Sequence, residues 1–69
     1  MIKCHLSRLM GERKLKISDL SNETGINRGT LTRMYKETFE RVDVDVINHL
    51  CKYFRCNVGD LLEHIADPE

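Results

Sequence analysis

The sequence predicts an all-α fold, five short helices packed around one small core. Three observations carry that reading. Apolar residues recur at three- and four-residue steps in separate stretches instead of alternating. Between these stretches stand residues that start or stop helices, namely Gly25, Asn27, Asp43 and Asn57. The chain has 69 residues and no repeat, low-complexity tract or linker, so a single domain over 1–69 is expected.

The elements follow in order. Leu6, Leu9, Met10 and Arg13 fall at i, i+3, i+4 and i+7, an apolar stripe ended by a long aliphatic stem. A first helix is therefore predicted from about His5 to Lys14, with Leu15 leaving it toward the core. Ile17 and Leu20 give the next segment an apolar side, and Gly25 supplies the left-handed residue that stops it. This second helix is short, and Lys16 at its start is a poor cap. Asn27 then offers a side-chain oxygen to the free amides of a third helix, Arg28 to about Lys36. Its periodicity points Leu31 and Met34 inward and leaves Arg28, Gly29, Thr32, Arg33 and Lys36 outward.

Glu37 to Val42 reads as an irregular polar loop in which Phe39 has no assigned place. Asp43 is expected to cap a fourth helix, where Val44, Ile47, Leu50, Cys51 and Phe54 form an unbroken core stripe. Asn57 and Asp60 have the spacing of a capping box and open a fifth helix through Val58, Leu61 and Leu62.

Composition narrows the function. Apolar residues make up 41% and charged residues 32%, a globular balance. The formal net charge is zero, yet it divides along the chain. Residues 1–36 carry eight Lys/Arg against three acids, a net of +5, and residues 37–69 carry three against eight, a net of −5. A basic half can face phosphates while an acidic half points away, because attraction follows local potential. The start MIKCHLSRLM has no signal-peptide core, and no apolar run approaches the roughly 18 residues of a membrane span, so a cytoplasmic chain is expected.

Cys4, Cys51 and Cys56 are odd in number and are expected as reduced thiols. No Cys-x-x-Cys pair occurs, and His49 and Cys51 fall on nearly opposite faces of one helix, so neither metal nor other cofactor is expected. Nor is an enzyme. Asp43 and Asp45 suit a helix N-terminus, the histidines occur singly, and no Gly-rich phosphate loop is present.

The segment from Leu20 to Met34 carries the functional signal. Two short helices meet at a tight glycine turn, and the second bears outward Arg, Thr and Lys. That arrangement lays one helix across the DNA backbone and the next in the major groove. Arginine can donate two parallel hydrogen bonds to guanine, and threonine can contact a base edge or a thymine methyl.

Ser21, Gly25, Ile26, Asn27, Thr30, Leu31, Thr32 and Arg33 stand in the order of the lambda-repressor-like, Cro-type helix-turn-helix family, which this chain resembles. The resemblance extends to the closing Val58-Gly59-Asp60-Leu61-Leu62. It implies a compact five-helix DNA-binding fold and a transcriptional regulator, most simply a repressor, that binds double-stranded DNA as a homodimer. Position by position, Arg28, Gly29, Thr32 and Arg33 match base-facing places, and Asn27, Lys36 and Arg41 match backbone-contacting ones. Some small relatives also pair an extended N-terminus with an extended tail. Met1 to Cys4 and Glu63 to Ala66 would form such a ribbon here, with Ile2 and Ile65 inward.

Two departures stand out. Where relatives often place a phosphate-binding glutamine, this chain has Ile17, and a frequent first-helix arginine is Met10. Lys16 and Arg13 are the neighbouring cations available to replace those contacts. The same substitutions favour an alternative, a protein-binding module of this fold such as an antitoxin or antirepressor, whose acidic half engages a partner. Leu61, Leu62 and Ile65 are the expected dimer surface, since they offer more apolar area than so small a core needs. No membrane or small-molecule partner is indicated.

Overall fold

A computed structural model of the chain describes residues 1–67. In order they form β1 (Ile2–Cys4), α1 (Leu6–Glu12), α2 (Ile17–Thr24), α3 (Arg28–Lys36), α4 (Val44–Phe54), α5 (Val58–Leu61) and β2 (Leu62–His64). The five expected helices are present, together with a two-stranded antiparallel ribbon that joins the ends. No helix among the described residues is long and apolar enough to cross a membrane.

Helix ends explain where the elements depart from expectation. α1 stops at Glu12, not Lys14, because Lys14 turns left-handed (φ +54°) and the Leu15 amide bonds back to Met10 O at 2.9 Å. That reversal sends Leu15 toward the core, where it packs half-buried. At the start of α2 the Lys16 side chain has no acceptor to offer. Instead Asp19 Oδ2 accepts from the Lys16 amide at 3.1 Å, the returning half of a capping box. α5 uses the same half-box, with Asp60 Oδ2 accepting from the Asn57 amide at 2.9 Å. Asp43 occupies the cap position of α4 without a side-chain capping bond.

The core contains Leu6 and Met10 from α1, Leu20 from α2, Leu31 and Met34 from α3, Leu50 and Phe54 from α4, with Cys4, Ile26 and Leu61. Each fully buried leucine contributes roughly 1.5–3 kcal/mol relative to exposure. The expected α4 stripe needs one correction. Val44 is 79% exposed, because the first turn of α4 lies beyond the core, and Val46 packs against it instead.

α5 is one turn long, which shifts the ribbon. Leu62 is already extended (φ −128°, ψ 135°) and is the first residue of β2, not the end of a helix. The register pairs Ile2 with His64, Lys3 with Glu63 and Cys4 with Leu62. Since alternate strand residues face opposite sides, starting β2 one residue early puts Leu62 toward the core and Ile65 away from it. Ile65 is accordingly 39% exposed. Ile2 shares the face of Cys4 but lies past the core edge and is 55% exposed, over a groove it lines with Phe39, Val42 and Leu62. The expected inward placement of Ile2 and Ile65 is therefore wrong, and Phe39 finds its place.

Glu37, the left-handed residue that ends α3, ties the ribbon to the helices (φ +58°). Its carboxylate accepts from the Cys4 amide at 2.9 Å and from Lys3 Nζ at 3.2 Å. The Cys4 amide first, and Lys3 second, hold this carboxyl below the ordinary glutamate range. A pKa lowered by folding stabilises the fold above the unfolded value, and that contribution disappears as pH falls through the folded value. Acidification through and below the ordinary glutamate range is thus expected to loosen the ribbon. In an NMR titration, protection of the Cys4 amide should fall as Glu37 protonates, and Glu37→Gln should remove that dependence. An unmoved Cys4 amide would contradict the linkage.

Candidate nucleic-acid interface

The turn between α2 and α3 is held by side chains on both its flanks. Gly25 takes φ +78°, a region that penalises a Cβ, and its amide bonds to Ser21 O at 2.8 Å. Ser21 Oγ donates to Ile26 O at 2.6 Å. Thr24 Oγ1 donates to Leu20 O at 2.7 Å and accepts from the Ile26 amide at 3.2 Å. With Ile26 buried beneath, the angle between the two helices is set by local hydrogen bonding plus one apolar anchor.

Asn27 caps α3 as expected. Its Oδ1 accepts from the amides of Gly29 at 2.7 Å and Thr30 at 3.4 Å. A Cβ at Gly29 would come within 2.9 Å of that oxygen and 3.3 Å of an Arg33 guanidinium nitrogen. Glycine at 29 therefore keeps room for the cap, a constraint the sequence alone did not disclose. Leu31 and Met34 are fully buried, so α3 has a fixed rotation. Arg28, Arg33 and Lys36 are exposed and Gly29 and Thr32 half-buried, with no acidic residue in the helix.

Arg33 folds back along α3 and donates to Thr30 Oγ1 at 3.4 Å. Arg41 is exposed in the following loop, and Arg33, Thr38, Glu40 and Arg41 line one shallow depression. The structure thus brings Arg41 beside the end of α3. It brings Glu40 there as well, an acid that sequence reasoning passed over because a loop has no periodicity to aim its side chains. Lys16 is exposed at the start of α2.

The two departures from the family pattern resolve alike. Met10 is buried and Ile17 packs half-buried against the core, so both apolar groups are used internally. Arg13 does not stand free. Its guanidinium donates to Tyr53 O at 3.3 Å and Phe54 O at 3.2 Å, and lies 5.6 and 5.1 Å from the two ring centroids. A cation at the carbonyl end of α4 is favoured by the helix dipole and by the rings. Tyr53 in turn donates from its hydroxyl to Glu23 Oε2 at 2.9 Å, which pushes the phenol up. Of the two neighbouring cations, Arg13 is engaged with the end of α4 and Lys16 is exposed.

Among the described residues no group of three His, Cys, Asp or Glu side chains is arranged to hold a metal ion.

Helix, glycine turn and a capped helix with an outward cationic face define a helix-turn-helix DNA-binding protein. The sequence profile of the Cro/C1-type HTH DNA-binding domain matches residues 5–67, and the chain belongs to that family. It is 25% identical over 61 residues, covering 88% of this chain and 73% of the relative, to a Bacillus subtilis (strain 168) protein named as an uncharacterized HTH-type transcriptional regulator, YozG. No solved structure matches the chain.

Proposed function

We propose that the protein is a sequence-specific transcriptional repressor, a single helix-turn-helix domain over 1–69 of lambda-repressor-like type, that inserts α3 into the major groove. The observation that carries this reading is the fixed rotation of α3, with Leu31 and Met34 in the core and Arg28, Arg33 and Lys36 in solvent. Arg28 and Arg33 specify bases, Thr32 adds an edge or methyl contact, and Gly29 allows close approach. Lys16, Lys36, Arg41 and the unused amide nitrogen of Asn27 hold phosphates. The protein-binding alternative, in which the acidic half engages a partner, draws less support from Met10, which is buried, and from Ile17, which packs half-buried against the core.

Selection of bound sequences from a random duplex pool tests the proposal. A single enriched motif supports it, and an unenriched pool refutes it. Lys36→Ala is expected to weaken binding evenly on all sequences and to reduce the log–log salt slope by about one. Titrations at several salt concentrations measure this, and an unchanged slope removes Lys36 from the phosphate contacts.

The protein acts as a homodimer, its α3 helices reaching successive major grooves about 34 Å apart. The joining surface differs from the sequence expectation. Leu61 is fully buried within its own core and Leu62 is half-buried, so neither leaves much area for a second copy. Ile65 remains, with Met1 and Ile2 exposed nearby on the ribbon. Ile65→Asp is expected to shift sedimentation equilibrium toward monomer, and an unaltered equilibrium would remove the ribbon from the interface.

A further inference from the structure

The turn that ends α4 brings two of the three cysteines together. Arg55 is left-handed (φ +53°), so its own amide and that of Cys56 both turn back onto the carbonyl of Cys51, the latter at 3.0 Å. In this kind of helix end the side chains five residues apart meet over the last turn, ordinarily as an apolar contact. Here both are thiols. They are unbridged and half-buried, and both pack against the core. A disulfide requires Cα atoms no more than about 7 Å apart. A direct backbone hydrogen bond of 3.0 Å between the two residues holds their Cα atoms within that limit.

We propose that Cys51 and Cys56 are a site of reversible oxidation, closing to a disulfide across the end of α4 when the protein meets a peroxide. One thiolate attacks a peroxide oxygen, the O–O bond breaks, and the departing hydroxide takes a proton to become water, leaving a sulfenic acid. The second thiol attacks that sulfur, the S–S bond forms, the S–O bond breaks and a second water leaves. Two thiols and one hydrogen peroxide give one disulfide and two waters. Burial, and Cys51 beside it, push the Cys56 thiol up, which leaves less thiolate near neutral pH, so oxidation is slow there and speeds as pH rises. Cys4 stays out. It is 2% exposed in β1, and burial raises its thiol as well.

The new bond would fix a turn that other elements already use. Arg13 of α1 is bonded to the carbonyls of Tyr53 and Phe54, and Glu23 of α2 to the Tyr53 hydroxyl. Oxidation therefore acts where three helices are tied together.

Tryptic cleavage after Arg41, Lys52 and Arg55 separates the three cysteines, leaving Cys51 in 42–52 and Cys56 in 56–69. The folded protein is treated with hydrogen peroxide, alkylated under denaturing conditions, digested and weighed by mass spectrometry. Two of the three alkylatable thiols should be lost, with 42–52 and 56–69 joined, Cys4 still alkylated, and a dithiol reductant restoring all three. The linkage should form faster in the folded chain than in urea and vanish in both Cys51→Ser and Cys56→Ser. Retention of three alkylatable thiols, sulfinic acid as the product, or a link through Cys4 or between chains would overturn the proposal. Equal rates in the folded chain and in urea would also overturn it, since the turn would then contribute nothing.

Discussion

A Leu50→Ala variant is expected to lose most of its folding stability. Leu50 is fully buried in the middle of α4, the longest helix, whose core residues face the rest of the bundle. Truncating a buried leucine to alanine removes its transfer free energy and leaves a cavity, together about 2–5 kcal/mol. A core in a chain of this size rarely supplies more than about 3–5 kcal/mol in total. The loss is therefore comparable to the whole stability. Urea unfolding followed by circular dichroism checks it, and a midpoint close to that of the parent would show that α4 does not hold the core together.

Arg33→Ala is expected to weaken binding to the selected DNA sequence by about 1–3 kcal/mol, roughly 5- to 150-fold, and to relax preference at one base pair. Arg33 rests against Thr30 Oγ1 through a single long hydrogen bond, 3.4 Å, so little is lost when the guanidinium swings outward to a guanine edge. Removing it would take away the proposed bidentate contact and leave α3 intact, since its buried residues are Leu31 and Met34. Competition binding against single-base variants of the site measures both effects. An equal loss on every sequence would place Arg33 on phosphate and not on a base.

The two variants differ in what their failure would mean. Leu50 supports the scaffold, and Arg33 is the proposed base reader mounted on it. A pair of measurements, helicity and sequence preference, keeps the two apart in any further substitution on α3.

Much of the scaffold was legible because its causes are local. Asn27 caps α3 through amides two and three residues away, and Gly25 stops α2 by its own backbone angle. Leu31 and Met34 lie inward because a helix repeats every 3.6 residues. The departures came where distant chain segments decide the outcome. Val44 fits the helical stripe and is still exposed, because periodicity says which face a residue shares and not how far the core extends. Arg13 ends an apolar stripe as read, but its head group is spent on carbonyls forty residues away.

The sequence by itself determined the five helices, the glycine turn, the cap of α3 and the cationic residues that line it, all set by interactions spanning a few residues. Only the tertiary structure decided the ribbon register, the strap from Glu37 to Cys4, the burial of Leu61 and the loss of Arg13 as a free cation. Those depend on which surfaces meet after the chain has closed on itself, and no spacing within a helix encodes that.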